Sequence, residues 1–403
     1  MISKTDFLDN ELASLNDKGL TRKLIPYSSN GATFEFDGHK ILNFSSNDYL
    51  GLSKHPLLKE ESSKALNEYG CGATASRLVS GHLSIHEELE NSLAKMLNTE
   101  ASLVFGSGFL ANIGVLNAIA GRNDEIYMDK LNHASLIDGS LLSGAKCFRY
   151  KHKDVDHLEL LLNNSKNNGR KIIVTDSIFS MDGDIAPIES LVSLSKKYGA
   201  LLIVDEAHAI GVFGNGGGIC KELGLQDSVD VIVGTLSKAL GGYGGFAACS
   251  NTMRKYLINK ARSFIYATGL APACIGSAKA AIQLINNNKD MGKELLRKAK
   301  LFHSYLSEAG FKMSKFESQI LPLHIGNNKK ALALSKKLFE EHNILAVAIR
   351  PPTVPVGTAR LRLSASFEHT DKDLKLAAEK IKKCAERIEP HVGAAPCGRP
   401  NTA

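Results

Sequence analysis

The chain has 403 residues, 43% of them hydrophobic and 23% charged, with a formal net charge of +7. This is an ordinary globular composition, long enough for two or three packed units. It holds no run of about 18 uncharged apolar residues, which argues against a membrane span. Nor does it hold a Lys/Arg block interleaved with aromatics, which argues against a nucleic-acid partner. The mild positive balance would suit a substrate carrying phosphates.

Seven cysteines, Cys71, Cys147, Cys220, Cys249, Cys274, Cys384 and Cys397, lie far apart without a CxxC pair. Such a set is expected of reduced thiols in the cytoplasm, not of a disulfide frame or a zinc site. The polar N-terminus carries no apolar core of a secretory signal. Residues 1–20 place Phe7, Leu8, Leu12, Leu15 and Leu20 at mixed helical spacing and predict an amphipathic helix, with Arg22 just past its end. Thr33–Phe36 and residues 41–44, about a turn at Asp37 and Gly38, predict a small hairpin. Residues 45–52, SSNDYLGL, read as a loop. Residues 55–68 predict a helix. The glycine-rich residues 70–82 predict a loop whose backbone approaches something closely. His82 and His86 stand four apart, but EELE follows and no third ligand lies at a zinc-like spacing. A solvated helix face is expected there, and no metal.

From residue 85 to 250, apolar runs at 101–105, 125–128, 146–150, 172–175, 201–204, 231–233 and 246–248 alternate with helical patterns. Continuous apolar strands between amphipathic helices predict a mostly parallel sheet buried on both faces, hence an α/β fold. The large domain is expected over residues 51–290, after an N-terminal helix and hairpin segment at 1–50. A long helix near 275–305 leads into a smaller α+β domain at 291–390, with strands at 319–325, 346–349 and 359–363 and helices at 328–342 and 371–388. Residues 350–362 include three prolines, which stiffen that loop. Residues 391–403 are expected to form a disordered tail.

Polar residues gather where these strands end. VIVGTLSKALGG places Lys238 just past a strand, among small hydroxyl residues and flexible backbone. A solitary lysine is ordinarily solvated, but a desolvated one has a lowered pKa and can form a Schiff base with an aldehyde cofactor. Pyridoxal phosphate requires a carboxylate beside its ring nitrogen. Asp205 ends the apolar run LLIVD, where a carboxylate needs a partner, and His208 follows three residues on. His133, in MDKLNHASL, could stack on a flat ring. Gly106–Phe109 opens a helix whose backbone N–H groups can hold a phosphate. Its spacing, GSGFLANIG, matches neither the dinucleotide fingerprint nor a P-loop. Ser180 and Thr235 mean little singly, but GTLSK combines phosphate donors and an imine-forming amine in one short loop.

VDEAHAIGVFG, GTLSKALGG, SNDYLGL and PTVPVGTARLR together resemble the α-oxoamine synthases, from about Arg22 to the last helix before the tail. The resemblance implies a fold-type I pyridoxal phosphate-dependent transferase. Lys238 would carry the cofactor and act as base and proton donor at the substrate's α-carbon. Asp205 would pair with the pyridine nitrogen, His208 and Ser180 with the phenolic oxygen, and His133 would stack on the ring. Thr235 and the backbone of Gly108 and Phe109 would hold the phosphate. Asn47 and Arg350 would orient the amino acid carboxylate, while Arg22 and Thr353, with His133, match positions that touch substrate. RPPTVPVGTARLR and IYATGLAP point to the branch that joins L-alanine to a pimeloyl thioester. The relative using glycine and an acetyl thioester, and a non-catalytic partner subunit, are the alternatives. The resemblance also implies a homodimer with shared sites, to which residues 70–82 contribute.

Overall fold

The computed structural model of the chain describes residues 4–27 and 31–388. The tail expected at 391–403 lies outside the described residues. The described chain divides into two compact units, Asn47–Leu296 and the remainder.

Strands β1 (Thr33–Phe36) and β2 (His39–Asn43) form the N-terminal hairpin. Asp37 and Gly38 both take positive φ, 48° and 76°. That pair of left-handed residues matches a two-residue turn to the twist of its strands.

The large unit holds β3 (Ala101–Phe105), β4 (Glu125–Asp129), β5 (Lys146–Tyr150), β6 (Lys171–Asp176), β7 (Leu201–Asp205), β8 (Val231–Thr235) and β9 (Gly245–Cys249). They lie in the order β3-β9-β8-β7-β6-β4-β5. Neighbours from β8 through β5 run parallel, and β9 runs antiparallel to both β3 and β8. Every residue of β3, β4, β8 and β9 is buried, as in a sheet covered on both faces. Leu103, Ile126, Val174, Ile203 and Val233 pack with Ala111, Val115 and Leu116 of the helix Gly108–Ile119. Each buried valine, leucine or isoleucine among them contributes about 1.5–3 kcal/mol. Because β6, β7 and β8 are parallel, Asp176, Asp205 and Thr235 emerge at one edge, where open α/β sheets bind ligands.

The long helix expected near 275–305 is two helices, Pro272–Asn287 and Met291–Glu308. Asn286, Asn287 and Asn288 mark the break, since asparagine side chains compete with helical backbone bonds. His86 is not on a solvated face: it is fully buried, while His82 bonds Arg77 and Glu87. The helix Ser84–Leu97 turns His86 inward beside buried Glu90, whose carboxylate is met by Arg77 and Arg254.

The second unit holds β10 (Ile320–Gly326), β11 (Ile344–Leu345), β12 (Ala348–Ile349) and β13 (Ala359–Ser364). β10, β13 and β12 form an antiparallel sheet. The N-terminal hairpin, expected in a segment of its own, pairs here through a parallel β2–β11 contact. Two strands alone cannot bury a face. Leu42 and Phe44 therefore join a core with Phe302, Leu321, Leu338, Leu361 and Ile381. The N-terminal helix is present as Asp6–Asp17, with Phe7, Leu8 and Leu12 exposed. Among the described residues, no helix is long and apolar enough to cross a membrane.

Candidate active site

The lysine loop is held by its own backbone. Past β8, Leu236 N–H donates to Gly244 O, Gly242 N–H to Leu236 O and Gly241 N–H to Lys238 O. Gly241 has φ +67°, and a Cβ there would lie 2.5 Å from Ser53 N. Glycine is required on both counts. Thr235 Oγ1 donates to Gly244 O at 2.9 Å and accepts Ser237 N–H at 3.2 Å. The half-buried Lys238 is thereby directed inward, with Nζ 2.8 Å from His208 Nε2.

His208 is buried in the turn after β7, and its Nδ1 lies 2.7 Å from Tyr49 Oη. Tyr49 in turn donates to Asn47 Oδ1 at 3.1 Å. Asp205, at the end of β7, is also buried. Its Oδ1 accepts Ala207 N–H at 2.8 Å and its Oδ2 accepts Asn112 Nδ2 at 2.6 Å. The same Asn112 amide donates to Ser135 Oγ at 2.9 Å, and Ser135 Oγ lies 2.8 Å from His133 Nδ1. One buried amide thus links the carboxylate to the imidazole.

His133 is exposed, between the buried Asn132 and Ser135. Desolvation holds its pKa below the usual histidine value, Asp205 pulls it up, and Lys238 pushes it down again. A neutral, flat ring at the rim suits stacking. The Phe109 ring meets it edge-on at 6.4 Å. Asp176, in register with Asp205 on the adjacent strand, accepts His133 N–H at 2.8 Å. Burial first, and the charge of Asp205 second, raise the Asp176 carboxyl well above the usual range.

The start of the helix Gly108–Ile119 faces Thr235 and β9. Ser107 caps the helix by accepting Leu110 N–H at 3.2 Å. The first N–H groups of a helix have no intrahelical partner and point at an anion. A Cβ on Gly108 would sit 3.3 Å from Thr235 Cβ, so the helix start and Thr235 abut. A Cβ on Gly245 would lie 2.3 Å from Gly108 N, so β9 forms the floor. Ser180 is half-buried in the turn after β6, which Phe179 N–H closes on Asp184 O at 3.0 Å.

Arg22, Arg350 and Thr353 belong to the second unit. Arg350 donates to the carbonyls of Gly19 and Thr21, and Thr353 N–H donates to Arg350 O at 3.1 Å. Burial, then the charge of Arg22, lowers the Arg350 pKa. Two cations close enough to repel suit an anionic ligand. Sequence reasoning passed over Asn112, Ser135, Asp176, Tyr49 and Gly245 as functional. Tyr49 stood in a quoted motif, but Asn112 sits in the apolar helix GFLANIGVLNAI, which carries no polar signal.

An inward amine against an imidazole, a buried carboxylate fixed by an amide, a stacking ring and an anion-binding helix start together fit pyridoxal phosphate. Fold and site define a fold-type I pyridoxal phosphate-dependent transferase. The family model "Aminotransferase class I and II" matches residues 39–381. The chain is 44% identical over 385 residues to the 8-amino-7-oxononanoate synthase of Lysinibacillus sphaericus, covering 95% of this chain and 99% of that one. A solved 8-amino-7-oxononanoate synthase from Francisella tularensis is 30% identical with a TM-score of 0.74, covering 86% and 98%. An SPT structure solved with PLP is 28% identical with a TM-score of 0.90, covering 96% and 99%. The chain belongs to the class I and II aminotransferase family and, within it, to the 8-amino-7-oxononanoate synthases.

Proposed function

We propose that this chain condenses L-alanine with a pimeloyl thioester, on coenzyme A or a carrier protein, in biotin biosynthesis. The α-carbon of alanine forms a bond to the acyl carbon, the carbon–sulfur bond breaks and free thiol leaves. The carboxylate departs as carbon dioxide, a proton replaces it, and 8-amino-7-oxononanoate remains. Pyridoxal phosphate supplies the electron sink for the negative charge that develops at the α-carbon.

The chain's own groups divide the remaining work. Lys238 Nζ takes the α-proton and later returns it, and its contact with His208 Nε2 holds it where that transfer requires. Asp205 keeps a proton on the ring nitrogen, since a buried carboxylate stabilises the charge opposite it. His208 and Ser180 serve the phenolic oxygen, and His133 packs on the ring face. Thr235 and the N–H groups of Gly108 and Phe109 bind the phosphate. Asn47 binds the alanine carboxylate.

We also place the protein in the cytoplasm as a homodimer. The described cysteines Cys71, Cys147, Cys220, Cys249, Cys274 and Cys384 are free thiols, which supports the compartment. Leu78, Val79 and Tyr266 are exposed, and the Ser76–Thr268 bridge brings their segments together. This apolar patch at residues 70–82 supports a second copy as its occupant.

The observation that carries the functional reading is the Lys238–His208 contact beside Asp205. Mass spectrometry of products from L-alanine with pimeloyl thioester, in competition with glycine and acetyl thioester, tests it. The expected product is 8-amino-7-oxononanoate, and Lys238→Ala lowers its rate about a thousandfold or more. Aminoketobutyrate as the main product, or an undiminished Lys238→Ala enzyme, overturns the reading.

A further inference from the structure

A chain of hydrogen bonds, buried at its centre and half-buried at both ends, runs from the catalytic amine to the residue assigned to the substrate carboxylate. Its members are Lys238 Nζ, His208 Nε2 and Nδ1, Tyr49 Oη and Asn47 Oδ1, at 2.8, 2.7 and 3.1 Å in turn. Its direction follows from donor counting. Tyr49 has one hydroxyl proton, and in this structure Asn47 Oδ1 accepts it. Toward His208 the phenol oxygen is therefore an acceptor, and Nδ1 must carry the ring proton. The neutral ring then presents the Nε2 lone pair to Lys238, whose amine donates. At the other end, the bond to Oδ1 fixes the Asn47 amide and turns its Nδ2 protons away from Tyr49. Those protons suit a carboxylate oxygen. Tyr49 and His208 are buried, at 0% and 5% exposure, so water does not readily replace a missing link.

We propose that Tyr49 is a positioning residue that sets the His208 tautomer facing Lys238 and, through the same hydroxyl, the orientation of Asn47 toward the amino acid carboxylate. This rests on the functional reading above for the identity of the carboxylate, but not for the tautomer. The hydroxyl acts on two partners at once, so its loss affects substrate binding and the catalytic amine together.

Two measurements on the full chain test it. In the first, the apoenzyme is labelled with ¹⁵N-histidine and the His208 signal is assigned by its loss in His208→Asn. The native ring is expected to be neutral and protonated at Nδ1. Tyr49→Phe is expected to move the proton to Nε2. Asn47→Ala frees the tyrosine proton to turn toward Nδ1 and is expected to do the same. An Nε2-protonated native ring, or a Tyr49→Phe ring with its proton unmoved, overturns the tautomer assignment. In the second, the loaded Tyr49→Phe enzyme is expected to show a KM for L-alanine raised about tenfold, the size of one lost hydrogen bond. Its kcat should also fall, with KM for the thioester unchanged. Equal loss on both substrates, or no change for alanine, overturns the link to Asn47. If the native holoenzyme fails to use L-alanine at all, the functional reading falls while the ¹⁵N spectrum still decides the tautomer. A melting curve matching the native one establishes that Tyr49→Phe is folded; should it fail to fold, Asn47→Ala carries the same tautomer test.

Discussion

Asn112 acts through the two side chains it holds. Its amide nitrogen serves Asp205 Oδ2 and Ser135 Oγ together, at 2.6 and 2.9 Å. A leucine of similar volume would keep the packing and remove both donors. A buried acceptor left unsatisfied costs about 1–3 kcal/mol, and each 1.4 kcal/mol is about tenfold in binding. Asn112→Leu is therefore expected to weaken pyridoxal phosphate binding about tenfold, read by titrating apoenzyme with cofactor. Unchanged affinity would show that Asp205 is held by Ala207 N–H alone. Glycine matters as much as any polar group at two nearby positions. Gly245 leaves no room for a side chain over Gly108 N, and Gly241 turns the lysine loop through left-handed backbone.

At the scale of elements, the turn after β6 that carries Ser180 is tied to the sheet by a histidine. His152 Nδ1 lies 3.0 Å from Asp129 Oδ1 on β4, and its Nε2 lies 2.8 Å from Asp184 Oδ2 at the end of the turn. Its ring meets the edge of Phe179, with centroids 4.4 Å apart, and Lys153 adds a contact to Asp184 at 3.2 Å. Burial alone would lower the His152 pKa, but the two carboxylates outweigh it and lift it to about 9. The unfolded value is about 6.5. A folded pKa above the unfolded one means stabilisation that is complete below about pH 6.5 and lost as pH rises through about 9. Melting temperatures of native protein and His152→Gln should differ most near pH 6 and converge by pH 10. A gap that stays constant across that range would assign the stabilisation to packing on Phe179 instead.

For the whole molecule, the proposed homodimer places a specific demand on residues 70–82. Val79 and Tyr266 are 80% and 72% exposed, and Ser76 Oγ donates to Ile265 O at 2.8 Å, holding the two segments side by side. A carboxylate on this patch would be desolvated in a dimer and harmless in a monomer. Light scattering is expected to give twice the 43.5 kDa chain mass for the native protein and a lower mass for Val79→Asp. An unchanged mass for Val79→Asp would place the contact elsewhere.

Local pattern was enough to recover the sheet. All seven apolar runs of the large unit are strands: β3, β8 and β9 are buried throughout, as a sheet covered on both faces requires, while the edge strand β5 is mostly exposed or half-buried. The lysine, aspartate and histidine were legible for a related reason: each is a polar residue just past an apolar run. The break at Asn286–Asn288 was missed because helical periodicity continues on both sides of it, and His86 because four-residue spacing does not say which face of a helix is covered. Strand order, the antiparallel placement of β9 and the pairing of the N-terminal hairpin with β11 were settled only by tertiary structure. So was the bond from Asn112 to Asp205, 93 residues away. Periodicity records which side of an element meets the core, a property of neighbouring residues, whereas partners distant along the chain are chosen by packing, which no local stretch encodes.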